Sequence, residues 1–170
     1  MTMQYDVKGS HLSGSGFLYV GRVRLKNLVY QGNGTAGAID IFDTNVAPNA
    51  ATYARTGYVV TVTSTGHGLA NGQIVGITFA PLANVSATAG NFPIGNATAN
   101  TFTITDINTG SIANTANCTY VYGGNEWTTS YNTGTAVQPF QVIFSGEGVL
   151  ARNGVYANVT NITYQTVQYG

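Results

Sequence analysis

The chain is short of charge. Only 7% of its 170 residues are Asp, Glu, Lys or Arg, against about 25% in an ordinary soluble domain. Six basic residues balance six acidic ones, for a formal net charge of zero. Such a chain has no global attraction for nucleic acid, which takes clustered positive charge. It is also poorly protected against association. Two readings of this stand: its surface is destined for a partner, or Asn, Thr and Ser hydrate it well enough. Strong helix formers are scarce too, with Glu, Lys and Met present twice each. Cys118 is the single cysteine, which excludes an internal disulfide and any cysteine-based metal cluster. In the strand-like run Asn117-Cys118-Thr119-Tyr120-Val121-Tyr122 it reads as a buried, inert thiol. No stretch is long and apolar enough for a membrane-spanning helix. Residues 1–16, MTMQYDVKGSHLSGSG, hold no apolar core of the kind a secretory signal needs, so none is expected.

What fills the chain instead is the vocabulary of strands and tight turns: 22 glycines and 11 tyrosines, with Thr, Asn, Ala and Val making up much of the rest. Hydrophobic residues reach 44%, enough for a sizeable core. From Arg22 the pattern alternates, with Arg22, Arg24 and Lys26 pointing one way and Val23, Leu25 and Asn27 the other. Period two marks a half-buried strand. Gln31-Gly32-Asn33-Gly34 is a turn signal, and Gly37–Asp43 alternates again, so 17–43 reads as a long hairpin. Residues 44–56 read as a loop. Strands follow at 58–63, 73–79, 90–94, 102–107 and 118–122. The tail adds strands at 138–144, 149–150, 155–158 and 162–169, with Asn153-Gly154 as a two-residue hairpin signal. No segment carries apolar residues at helical spacing. About ten short, regularly spaced strands predict an all-β fold, a β-sandwich or jelly roll.

Two stretches resemble bacteriophage proteins. VTVTSTGHGLANGQIVGITF followed by GNFPIGNATANTFTITDI, over roughly 59–107, resembles the small β-rich repeat of phage head and tail proteins: a strand, His-Gly-Leu, Asn-Gly, a strand, then G-x-F-x-I and A-N-T-F-T-I. Gly90-Asn91 stands where that pattern has Asn-Gly, and Ala80–Ala89 lengthens a loop. GRVRLKNLVYQGNGTAGAIDIFD and VQPFQVIFSGEGVLARNGVYANVTNITYQTVQYG resemble the two ends of a small phage virion protein. The expected organisation is an extended arm at 1–16, a sandwich base from 17–56 plus 134–170, and an inserted β module at 57–133. Insertion is tolerated at an exposed loop tip whose ends lie close. Polar residues of the arm cannot fold alone but can order against a partner.

Few residues suggest chemistry. His67, between Gly66 and Gly68-Leu69, would need further ligands or a nucleophile and an orienting group to form a site. His11, the only other histidine, lies in the arm, and the preferred reading of His67 is a turn imidazole bonded to backbone. Asp40, Asp43, Asp106 and Glu126 lack the D-x-[DN]-x-[DN]-G spacing of a calcium loop, and no carboxylate pair is spaced for glycoside hydrolysis. No metal and no cofactor is expected. Arg22, Arg24 and Lys26 read equally as a docking stripe or as a solvated strand face that discourages aggregation. Tyr120, Tyr122, Trp127 and Tyr131 suit a protein interface or a sugar platform, although core and cross-strand packing explains many such residues.

The expectation is a non-enzymatic virion protein. The resemblance implies a capsid cement or decoration protein that binds the major capsid protein on the outside of the shell, forms a homotrimer, and contacts neither nucleic acid nor membrane. A tail or neck component and a carbohydrate-binding module are the alternatives. A hydrolase is the least supported, for want of a nucleophile, base and orienting group.

Overall fold

The computed structural model describes residues 8–82, 86–122 and 128–170, with the side chains at 113–115 and 128 left aside. Every regular element among the described residues is a strand, so the protein is all-β, built of antiparallel sheets. The chain divides into two compact units, Met1–Asn45 with Tyr131–Gly170, and Val46–Ser130. In chain order the strands are β1 (Lys8–Leu12), β2 (Gly16–Val20), β3 (Val23–Gly32) and β4 (Gly37–Asp43), then β5 (Asn49–Thr63), β6 (Ile74–Phe79), β7 (Gly90–Pro93) and β8 (Thr101–Tyr122). They are followed by β9 (Thr128–Gly134), β10 (Pro139–Ile143), β11 (Val149–Ala151), β12 (Gly154–Thr160) and β13 (Ile162–Tyr169).

The first unit has two sheets. One runs β1-β13-β3-β10, with β11 also on β3; the other runs β2-β12-β4-β9. Chain neighbours β1 and β2, β2 and β3, β3 and β4, β11 and β12, and β12 and β13 therefore alternate between sheets. This corrects the hairpins expected at 17–43 and at Asn153-Gly154. A Gly21-Arg22 break separates β2 from β3, and the Gln31–Gly37 turn and the Asn153-Gly154 turn each carry the chain across the sandwich. A turn dipeptide marks a reversal, but the sheet that receives the next strand is set by where its apolar face must go. Gly21 takes φ +108°, a region open to glycine at no steric cost, and its N–H donates to the Asn153 carbonyl at 3.0 Å.

Strand β3 shows how the alternation is used. Val23 and Leu25 are buried, then Leu28 and Tyr30. The change of parity coincides with a register shift: Tyr169 pairs with Leu25 but Gln168 with Asn27. One extra residue, Lys26, opposes the partner strand, as in a β-bulge. Asn27, expected to share the face of Val23 and Leu25, is displaced from it for this reason. All of β4 is buried, on both faces.

The segment expected as a free arm is partly a strand. Lys8–Leu12 pairs with Gln165–Tyr169, and the fully buried Gln165 donates from Nε2 to the Gly14 carbonyl at 3.0 Å. An edge strand needs a neighbour's backbone and few apolar side chains, so polar composition did not exclude it.

The second unit is one sheet, ordered β5-β8-β6-β7. The expected 44–56 loop is mostly strand, and the expected module edges near 57 and 133 fall inside β5 and β9. The reason is Arg55. It occupies an inward position after Tyr53, and both are buried; a charged residue there masks the strand pattern. The expected separate strands 102–107 and 118–122 belong to one long β8. Val60 faces Ile104 and Val62 faces Phe102 across the β5–β8 ladder. All four lie in a core with Tyr53, Val75, Ile77, Phe79, Ile112, Cys118 and Tyr120. Each fully buried Val, Ile or Phe among them contributes about 1.5–3 kcal/mol of burial.

Candidate functional site

His67 is fixed by the turn it sits in. Its Nδ1 accepts the Leu69 N–H at 3.0 Å, and its Nε2 lies 3.2 Å from the Thr101 carbonyl. A ring nitrogen that accepts cannot also carry a proton, so Nε2 bears the hydrogen and donates to Thr101. The ring stands edge-on to Phe102, with centroids 5.3 Å apart. The histidine thus closes the Gly66–Leu69 turn onto the start of β8, and both ring nitrogens are occupied.

The same side chain forms one wall of a cavity of about 290 Å³, shared with Val46, Asn49, Leu69, Tyr120 and Tyr122. The Tyr120 hydroxyl is 3.0 Å from Ser64 Oγ, and the Tyr122 hydroxyl accepts from Gln73 Nε2 at 2.9 Å. Of the lining side chains, His67, Tyr120 and Tyr122 thus have their polar groups already engaged.

The aromatic cluster expected at Tyr120, Tyr122, Trp127 and Tyr131 is not a single platform. Tyr120 is 2% exposed and belongs to the core of the second unit, whereas Tyr122 is 52% exposed. Tyr131 belongs to the first unit, where its ring lies 6.4 Å from that of Tyr30. Trp127 lies outside the described residues. Tyr120 is withdrawn because alternate residues of β8 face the core, and position 120 shares the parity of Cys118.

The basic stripe is differently placed than its alternation suggests. Arg22 sits in the bend before β3 and is exposed. Arg24 pairs with Glu147 at 3.2 Å, and the Lys26 ammonium donates to the Glu147 carbonyl at 2.6 Å. Two of the three cations thus hold the β10–β11 loop. Exposed pairs of this kind contribute about 0–1 kcal/mol.

Sequence reasoning missed two buried constellations. Asp43, fully buried at the end of β4, accepts the N–H groups of Arg152 (3.0 Å, Oδ2), Asn153 (2.9 Å, Oδ1) and Gly154 (3.3 Å, Oδ1). One carboxylate thereby closes the turn from β11 into β12. In the second unit, Arg55 and Asp106 form an ion pair at 3.0 Å with side chains 2% and 0% exposed. Arg55 also donates to the Gly57 and Ser86 carbonyls at 3.2 and 3.3 Å and to the carbonyl of Asn108. The Asp106 carboxylate accepts the N–H of Thr88 at 3.0 Å and of Asn108 at 3.3 Å. Burial pushes its pKa up; the Thr88 hydroxyl, the Thr88 and Asn108 N–H groups and the Arg55 guanidinium outweigh that and hold it below the usual carboxylate range. Spacing alone carried no signal for either, since their partners lie far along the chain.

Asp40, the remaining described acid of the calcium reading, takes a bond from Asn158 Nδ2 at 3.3 Å; Glu126 lies outside the described residues. Among the described residues no three His, Cys, Asp or Glu side chains gather as a metal site. Cys118 is buried, and burial pushes its thiol up to about 12, far from a reactive thiolate.

Comparison with known proteins returns no match among protein-family models, curated proteins or solved structures.

Proposed function

We propose that this chain is a non-catalytic binding subunit of a bacteriophage particle, a capsid cement or decoration protein that docks on the outer shell and clamps neighbouring capsomers. The observation that carries the reading is that β10 leaves one edge without a partner strand among the described residues. It is the last strand of its sheet, and the run Val137–Phe144, VQPFQVIF, holds no charge. The Phe144 N–H donates to the Lys26 carbonyl on β3. In an antiparallel ladder that sets the parity: Phe140 and Val142 bond inward, while Gln141 and Ile143 turn their N–H and C=O groups outward. Ile143 is 71% exposed and Val137 60%.

Natural sheets blunt a free edge with charge, bulges or proline, and this one carries Pro139 alone. Such an edge accepts a strand from a neighbour, with main-chain hydrogen bonds giving affinity and alternate side chains giving specificity. The phage assignment itself rests on the resemblance of 59–107 and of the two terminal stretches.

The test uses phage shells freed of this protein. Purified protein should rebind them, with self-association to the trimer followed by analytical ultracentrifugation. Gln141→Pro removes one outward N–H and takes none from β3, and Ile143→Lys charges the edge. Both should abolish binding while the melting temperature holds. Undiminished binding by both variants would remove the edge from the reading.

A further inference from the structure

The sequence holds three Asn-Gly pairs, Asn33-Gly34, Asn71-Gly72 and Asn153-Gly154, and the fold treats them unequally. We propose that Asn33 is a site of spontaneous deamidation, a covalent modification that the structure permits at this pair and blocks at the other two.

The reaction needs the backbone nitrogen of the glycine to attack the asparagine side-chain carbonyl. A bond forms between Gly34 N and Asn33 Cγ, the Cγ–Nδ2 bond breaks, and ammonia leaves with the proton given up by the amide nitrogen. The cyclic imide is then opened by water at either carbonyl, giving aspartate or, with the backbone rerouted through the side chain, isoaspartate. Electrons are neither gained nor lost, and water is the only co-reactant. Two conditions follow: a glycine nitrogen not committed to a hydrogen bond, and access for water.

At Asn33-Gly34 both hold. Residues 33–36 are exposed, and Gly34 sits at φ +96°. Among the described residues no hydrogen bond engages the Gly34 N–H. Asn33 Oδ1 accepts the Thr35 N–H at 3.0 Å, an Asx turn. This bond polarises the carbonyl under attack and stabilises the oxyanion that forms there, as an oxyanion-hole donor does.

The other two pairs are closed. The Gly72 N–H donates to the Ile94 carbonyl at 2.9 Å, and Asn71 Oδ1 holds the Ala97 N–H at 2.7 Å. The Gly154 N–H points at Oδ1 of the buried Asp43 at 3.3 Å, and Gly154 is itself buried. The Asn153 N–H is bonded to the same oxygen, and its carbonyl accepts from Gly21. Each attacking nitrogen must first leave a partner.

The aspartate product retains the turn. An aspartate keeps the oxygen that accepts from Thr35, and Asn161 braces both flanks, accepting the Asn33 N–H at 3.1 Å and donating to the Ala36 carbonyl at 2.7 Å. What changes is charge: a chain of formal net charge zero gains a negative charge on an exposed turn of the first unit.

Native protein is aged in mildly alkaline buffer and digested, and the three peptides are followed by mass spectrometry, with anion exchange reading the intact chain. Asn33 should convert at least about tenfold faster than Asn71 and Asn153, because those two must first open locally. In denaturant the three rates should converge. Asn33→Gln should remove the acidic peak, and Asn33→Asp should elute with it at an unchanged melting temperature. Equal native rates at all three sites, or an Asn33 as persistent as Asn153, would overturn the proposal.

Discussion

Arg55 and Asp106 meet at 3.0 Å, Nη2 to Oδ2, with both side chains sealed from solvent, and so the second unit has an ion pair where a purely apolar interior would be expected. Two charges leave water only when the pair and its hydrogen bonds offset the desolvation cost. Here the carbonyls of Gly57, Ser86 and Asn108 and the N–H groups of Thr88 and Asn108 complete the shell. The guanidinium also lies flat on Gly110, where a Cβ would come within 3.1 Å of Cζ.

Removing one partner leaves the other charged and buried. Arg55→Met and Asp106→Leu should each destabilise the protein by about 3–5 kcal/mol. The double variant should lose less than the sum, because it leaves neither charge stranded. Urea denaturation of the three variants measures this. Additive losses would mean that the two side chains do not act as a pair.

The pair also sets an acid limit. Asp106 is held below the usual carboxylate range, so the folded state binds its proton less readily than the unfolded chain. The sign follows from linkage: this stabilisation is complete above the unfolded carboxylate pKa, about 3.9, and is lost as pH falls through that value and the depressed folded one. The melting temperature of the wild type should fall steeply in this window. Asp106→Asn, less stable at neutral pH, should show a flatter acid limb. Parallel limbs in the two proteins would count against this role.

Asp43 makes a separate prediction in the first unit. Asp43→Ala leaves the N–H groups of Arg152, Asn153 and Gly154 without their buried acceptor. It should cost on the order of 3 kcal/mol. Hydrogen exchange at Asn153 and Gly154 should accelerate even in conditions where the rest of the sandwich stays protected. Unchanged exchange at these two amides would show that the carboxylate does not close the turn.

His67→Ala should lower the melting temperature, at a cost of about 1–3 kcal/mol, since the Leu69 N–H loses its acceptor and the Phe102 edge its neighbour. A nitrogen-15 NMR experiment should find the proton on Nε2 at neutral pH. A variant as stable as the wild type would return His67 to the residues that need another explanation.

The all-β class was legible from period-two alternation and the shortage of helix formers, because both are local properties. Partnering between strands was not. Asn153-Gly154 announces a reversal, but the carboxylate that turns it across the sandwich is Asp43, over a hundred positions away. Arg55 hid a strand because a charge at an inward position looks like a break until Asp106 is known to face it. Of the suggested site residues, Tyr120 was lost to the core by strand parity. Arg24 and Lys26 are engaged by Glu147, an acid that alternation could not assign to them. The edge that β10 leaves open among the described residues had no local signal, since which strand ends a sheet is a property of the whole topology.

The most direct test of the virion account is copy number per particle, by quantitative mass spectrometry of purified phage against the major shell protein. A cement protein on an icosahedral shell should be present in copies comparable to the capsomers it bridges. A few copies per particle would move it to the neck or tail, and its absence from the particle would contradict the account outright.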